Sequence, residues 1–473
     1  MVFSSPLFLF YFLPVVLILY YLVPRGQVFW KNLVLLVCSL FFYAWGEPVY
    51  VLLMLFSIAM DYGLGLWLEH EKKRGGYPGR ILALAVVMNL LFLAFFKYAN
   101  FLIGMVNGVA KAGIPLLDVS LPIGISFYTF QALSYIIDLY RGEVEVQRSI
   151  LNFGTYVSLF PQLIAGPIVR IKTVAGELRD REESFPDFAA GVRRFVVGLA
   201  KKVLLANTVG EIWQKISAME IDTLPVLTAW IGLAAFTFQI YFDFSGYSDM
   251  AIGLGRMFGF HFEENFNYPY VATSITDFWR RWHITLSTWF REYVYIPLGG
   301  NRRGLAKQIR NILVVWLLTG IWHGAGWNFV VWGLYFGVIL MIEKIGLLRL
   351  LDKVPPVLRH VYTMLLVMIS WAIFAFDSLG QGVRYIGTLF GAGGRLWDGQ
   401  GIYLLYSSAV LLVLLILGST ALPRKTAALV GGRLKAHPAV LTAVELGLIL
   451  LGFVLCIAFL VDASYNPFLY FRF

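Results

Sequence analysis

The stretch NILVVWLLTGIWHGAGWNFVVWGLYFGVILMI, residues 311–342, contains no Asp, Glu, Lys or Arg. One membrane span needs about 20 apolar residues, so this run is too long for one and reads as two helical pieces. The break falls at Gly320-Ile321-Trp322-His323-Gly324-Ala325-Gly326, where glycines weaken helix continuity. His323 sits at that break. An ionisable residue inside an apolar run is costly and marks a functional site by default. Irregular backbone at membrane depth is tolerated only inside protein or against a water-filled cavity. The expectation is a polar cavity at His323, with the rest of the chain as its housing.

The composition fits that housing. The 473 residues are 59% hydrophobic and 14% charged, against about 25% charged in soluble domains. Apolar runs recur from end to end. The reading is an all-α polytopic membrane protein, a single membrane domain over residues 1–473, with about eleven spans plus re-entrant and interfacial helices. The net charge is +10. Lys and Arg concentrate in loops, which marks the cytoplasmic side of a multi-pass protein rather than a nucleic-acid partner. Cys38 and Cys456 lie in apolar runs and form no metal or disulfide motif. The N-terminus lacks a basic region and a cleavage site, so 7–23 reads as a retained first helix.

Spans are expected at 32–45, 49–68, 81–96, 121–140, 156–169, 224–241, 361–376, 402–417 and 440–461. The short run 101–109 reads as partly re-entrant. The basic loop at 70–80 belongs to the cytoplasm; counting back two helices puts Arg25 and Lys31 inside and the N-terminus outside. Residues 170–202 mix both charges and read as the main polar loop with an interfacial helix. No internal repeat is visible.

Three further segments carry polar groups. Read as one helix, residues 277–293 place Phe278, Trp282, Thr285 and Trp289 on one face, with Arg280, His283, Ser287 and Arg291 nearly opposite. This suits an interface helix, functional or a plain anchor. In residues 239–250, Gln239, Asp243 and Tyr247 align, as do Ser245 and Asp249. These carboxylates suit a polar funnel or ordinary helix–helix hydrogen bonding. Residues 161–167, with prolines at both ends, read as a cavity wall or a helix end. The polar cavity is expected to draw on Asp243, Tyr247, Asp249, Trp322 and Asn328. No HxxxH, HExxH or CxxC spacing supports a metal site, and no GxSxG elbow is present. On residue chemistry alone His323 remains open between general base, proton relay and a lone core histidine.

Several motifs carry a resemblance. They are MVFSSPLFLF at 1–10, FKYANF at 96–101, LPIGISFYTFQALSYIIDLYRG at 121–142 and FPQLIAGPIVR at 160–170. They continue with YFDFSGYSDMAIGLG at 241–255, ENFNYPY at 264–270, FWRRWHITLSTWFREYVYIPLGGNR at 278–302 and GIWHGAGWN at 320–328. In order and content the chain resembles the membrane-bound O-acyltransferase family, in its bacterial alginate O-acetyltransferase branch. The resemblance implies a ring of helices around a central funnel and tunnel in the bacterial cytoplasmic (inner) membrane. It implies that His323 and His283 are the catalytic histidines. Acetyl-CoA is the implied donor substrate, with no permanently bound cofactor, and Arg280, Arg281, Ser287 and Arg291 would be placed to bind it. The acetyl group would pass toward an extracytoplasmic polysaccharide, alginate or a related one, with a periplasmic acetyltransferase as partner. The rival readings are D-alanine transfer to teichoic acid from an acyl carrier protein, and a non-enzymatic transporter or export scaffold.

Overall fold

The glycines at the break govern the fold of the charge-free stretch. In the computed structural model, which describes residues 1–434, 436–462, 465–467 and 469, the charge-free stretch folds as a helical hairpin. Its arms are Leu305–His323 and Trp327–Ile342, joined through extended backbone at Gly324 and Gly326. The arms touch at Gly320 and Gly333. A Cβ on Gly320 would lie 3.2 Å from Gly333 Cα and would collide with the Phe329 carbonyl. Backbones this close exclude side chains at the crossing, as in small-residue membrane contacts.

Among the described helices are α1 Leu13–Leu22, α2 Val28–Gly46, α3 Tyr50–Lys73, α4 Pro78–Ala110, α5 Ile125–Arg141, α6 Val226–Met257, α7 Ile275–Arg281, α8 Ile284–Phe290, α9 Leu305–His323, α10 Trp327–Ile342, α11 Pro356–Ala375, α12 Gly399–Gly418 and α13 Pro438–Asp462, with further helices such as Phe185–Ala200 and Leu379–Leu389 between them. Among the described residues eight helices are long and apolar enough to cross a membrane: α2, α3, α4, α6, the helix through 327–351, α11, α12 and α13. Eight is fewer than the roughly eleven expected: 7–23 and 121–140 fall outside the set, and two further elements differ. The run 101–109 is not separate but ends α4, whose 33 residues extend about 50 Å. The span expected at 156–169 is instead two short helices, Ile150–Ser158 and Phe160–Leu163, followed by irregular chain, so 161–167 is a helix end.

The chain forms two compact units. One comprises 1–195 and 247–263, the other 196–246 and 264–473. In the first, residues expected in loops are buried and paired. Lys31 lies in α2, with its ammonium 2.7 Å from Glu183. The Tyr20 hydroxyl donates to Glu183 at 2.6 Å, and Arg181 donates to Tyr20 and to Asn32. Charges taken from water need such partners, so part of 170–202 is interior, not a solvated loop. Asn89 on α4 donates at 2.7 Å to the buried Asp61 carboxylate on α3. In the second unit, α12 and α13 turn long apolar side chains outward, as lipid-facing helices do.

The hairpin crossing yields a stability test. Gly333→Val should lower the unfolding midpoint in detergent by the equivalent of about 1–3 kcal/mol, the usual cost of overpacking. Gly447→Val, at a position with nothing within 4 Å, should unfold with the wild type. Equal midpoints for both variants would mean that the crossing is looser than the structure shows.

Candidate active site

The second unit carries both histidines. His323 is the last residue of α9. Its ring meets those of Trp322 and Trp332 at 5.0 Å and Phe374 at 5.6 Å, all three edge-on. It lines a void of about 10 Å³ with Ile240, Phe244, Trp282, Trp332, Trp371 and Phe374. Edge-to-face packing of this kind fixes ring orientation as well as burying area. The Trp332 indole N–H is buried and has no acceptor among the described residues. A buried donor left so costs roughly 1–3 kcal/mol.

His283 is placed by a break that the helical pattern did not show. Residues 277–293 are not one helix. α7 ends at Arg281, Trp282 is extended, and His283 takes left-handed backbone angles of φ 45° and ψ 55° before α8 begins. Residues distant in sequence hold the kink: the Asn267 amide donates to the Arg281 carbonyl, and the Ile284 amide to the Asn265 carbonyl, both at 2.9 Å. The helical stripes therefore do not persist through 282–284. The His283 ring stands perpendicular to Phe244 at 4.7 Å and lies 6.3 Å from Trp322. Its Nδ1 is 3.0 Å from Asn265 Oδ1. His283 lies outside the eight apolar helices. Burial first, and the adjacent His323 second, hold its imidazole well below the ordinary pKa, so the neutral form prevails at pH 7.

Two larger spaces lie in this unit. A cavity of about 300 Å³ is lined by His283, Ser287, Trp279, Arg280, Arg291 and Lys344 among others. It follows α9 from Ile312 to Thr319, one turn short of His323. A recess of about 430 Å³ is lined by Glu220, Asp222, Phe376, Asp377 and Arg384. Asn328, at the start of α10, donates to the Phe376 carbonyl at 3.0 Å, whereas Lys344 follows the end of α10. Asn328 and Lys344 thus lie about 24 Å apart along that helix. His283 borders the cavity and His323 the small void, and cavity and void share no lining residue.

The remaining candidates scatter. Arg280, Ser287 and Arg291 line the cavity; Arg281 does not, and pairs with Asp277 at 2.9 Å. Trp322 adjoins both histidines. Asp243 lines neither space. It pairs with Lys202 at 2.7 Å and accepts the Leu469 amide at 3.0 Å. Around that pair Gln239 donates to the Tyr465 hydroxyl, Asn207 to Asn466 and Lys202 to the Pro467 carbonyl. Tyr247 and Asp249 belong to the first unit. Tyr247 stacks on Phe3 at 4.6 Å, and Asp249 pairs with Arg194 at 2.6 Å. Gln239, Asp243 and Tyr247 do share one helix, but buried carboxylates took cations from elsewhere in the chain. Asn265 and Lys344 gave no signal of their own: one sat in a quoted motif without a role, the other in a basic run.

Two buried histidines lie in an aromatic interior, one of them beside a basic cavity. The chain belongs to the membrane-bound O-acyltransferase family, whose model matches residues 80–379. The probable alginate O-acetylase AlgI of Azotobacter vinelandii is 44% identical over 397 residues, covering 83% of this chain and 79% of the relative. The peptidoglycan O-acetyltransferase of Helicobacter pylori is 34% identical over 83% of this chain and 80% of its own. The teichoic acid D-alanyltransferase of Bacillus subtilis is 26% identical, over 46% of this chain and 58% of its own. The protein is a membrane-bound acyltransferase.

The left-handed backbone at His283 separates two substitutions. Asn tolerates those angles and a β-branched residue does not. His283→Asn should unfold close to wild type, whereas His283→Val should lose about 1–3 kcal/mol in denaturant titrations. Equal stabilities would remove strain as a property of this position.

Proposed function

We propose that the protein transfers an acetyl group from cytoplasmic acetyl-CoA to hydroxyls of an extracytoplasmic polysaccharide, alginate or a related exopolysaccharide. The observation that carries this reading is the basic cavity, lined by His283, Arg280, Arg291 and Lys344, which runs along α9 to within one turn of His323. Arg302, Arg303, Lys307, Arg310, Arg349 and Lys353 lie at the cavity end of the hairpin. The positive-inside rule makes that end cytoplasmic and the N-terminus extracytoplasmic. The cavity suits an acyl-pantetheine arm, with Arg280, Arg291 and Lys344 on the donor's phosphates. The relatives' acceptors, as their names give them, are polysaccharides of the envelope or exterior.

In this mechanism His323 takes the proton of the attacking hydroxyl as its oxygen bonds to the thioester carbonyl carbon. The Trp332 N–H stabilises the oxyanion of the tetrahedral intermediate. The C–S bond then breaks, and the imidazolium returns its proton to the CoA thiolate. His283 positions the thioester on the donor side. A hydroxyl of a periplasmic acetyltransferase partner can be the immediate acceptor.

Full-length protein in nanodiscs with radiolabelled acetyl-CoA tests this reading. His323→Ala should lower acetyl transfer by about 10²–10⁴-fold, the usual contribution of a general base, with the unfolding midpoint unchanged. Combined replacement of Arg280, Arg291 and Lys344 by Ala should raise KM for acetyl-CoA about tenfold or more and alter kcat little. Full activity in His323→Ala would sink the assignment. Indifference to acetyl-CoA, with turnover of an acylated carrier protein, would replace it with the D-alanine-type reading.

A further inference from the structure

We propose that Asn265 is a positioning residue for acyl transfer: its side-chain oxygen fixes His283 as the tautomer with hydrogen on Nδ1 and a lone pair on Nε2. The proposal rests on the reading above for the part His283 plays in transfer. Asn265 is fully buried. Its Oδ1 receives the Thr285 backbone amide at 3.3 Å and the Thr285 hydroxyl at 2.9 Å, and lies 3.0 Å from His283 Nδ1. A backbone N–H can only donate, so the side-chain atom facing it is the carbonyl oxygen and not the amide nitrogen. That oxygen can only accept, so His283 Nδ1 carries the hydrogen. In a neutral imidazole the other nitrogen is then an acceptor. The backbone amide of Thr285 thus decides the protonation of a ring two residues earlier in the chain.

The same residue sets the position of the ring. The Asn265 backbone carbonyl accepts from Ile284 at 2.9 Å, immediately after the left-handed turn. Side chain and main chain of one asparagine therefore hold both the ring edge and the kink that aims it. The charges around the ring favour its neutral form. His323 is close enough to lower its pKa, and Arg280, Arg291 and Lys344 line the same cavity, with no Asp or Glu among the lining residues. The carboxylates on adjoining elements are engaged elsewhere. Asp277 pairs with Arg281 and Glu292 with Arg291, while Glu343 accepts the amides of Ile275 and Thr276. Neutral His283 offers the donor side a proton acceptor at Nε2 and no N–H there.

The test uses full-length protein in nanodiscs, labelled with nitrogen-15 in histidine. His283→Asn identifies the His283 signals by their loss. The wild type should show a protonated Nδ1 and an unprotonated Nε2 at pH 7. Asn265→Leu should mix the tautomers and lower kcat about 10–100-fold, as loss of a group that orients a histidine does, with KM for acetyl-CoA within about twofold. Asn265→Asp keeps the acceptor and adds a charge. It should keep the tautomer, retain kcat within about tenfold, and move the acid limb of the kcat–pH profile up by about one pH unit or more. A merely structural asparagine would move unfolding midpoints and leave the tautomer and the pH profile alone. A wild-type spectrum with hydrogen on Nε2, or Asn265→Leu with wild-type tautomer and profile, overturns the proposal. If no acyl transfer occurs in any form, the functional reading fails, and the nitrogen spectra still decide on Asn265.

Discussion

The contact between Gly320 and Gly333 is the constraint on which the site depends. Two helices whose backbones touch have no freedom to slide or rotate by a fraction of a residue. A shift in either direction would bring the bulky neighbours Phe329 or Trp316 into the crossing. The register so fixed puts His323, at the end of one arm, against Trp332 on the other. Trp332 then meets Trp371 and Phe374, and Trp371 meets Trp282 beside His283. Two small residues thereby set the relation between two imidazoles 40 positions apart.

Buried charge is treated in two ways in this protein. Lys31 with Glu183, Lys202 with Asp243, and Arg194 with Asp249 are each close-paired, as the low dielectric requires. The two histidines are packed among aromatic rings, and His283 Nδ1 also meets Asn265 Oδ1. An imidazole paired with a carboxylate is held as a cation and loses its capacity to accept a proton; an amide partner such as Asn265 adds no such charge.

Much of this was legible in the sequence, and the residues show why the rest was not. The absence of charge over 311–342 and the glycines near His323 act locally, so the hairpin and its break could be read directly. The break at His283 could not. Its stripes have helical period, and the bonds that end the helix come from Asn265 and Asn267 in an earlier segment. Period 3.6 likewise aligned Gln239, Asp243 and Tyr247 correctly, but says nothing of what faces them. Lys202 and Arg194 decided that Asp243 and Asp249 would be structural pairs. Arg181 and Glu183 looked solvated because charge runs usually are, and only the packing shows them interior.

The segment that carries Tyr465, Asn466, Pro467 and Leu469 bears on the order of folding. Its Leu469 amide reaches the Asp243 carboxylate from 226 residues downstream. A membrane protein inserts its helices in the order in which they leave the ribosome. For the whole interval in which α7 to α13 are being made, Asp243 and Lys202 have only each other. Phe244, the next residue, is the ring against which His283 stands. The partners of Asp243 are therefore completed only after α13 has been made. The helix that carries Asp243 and Phe244 is thus made well before it is fully partnered.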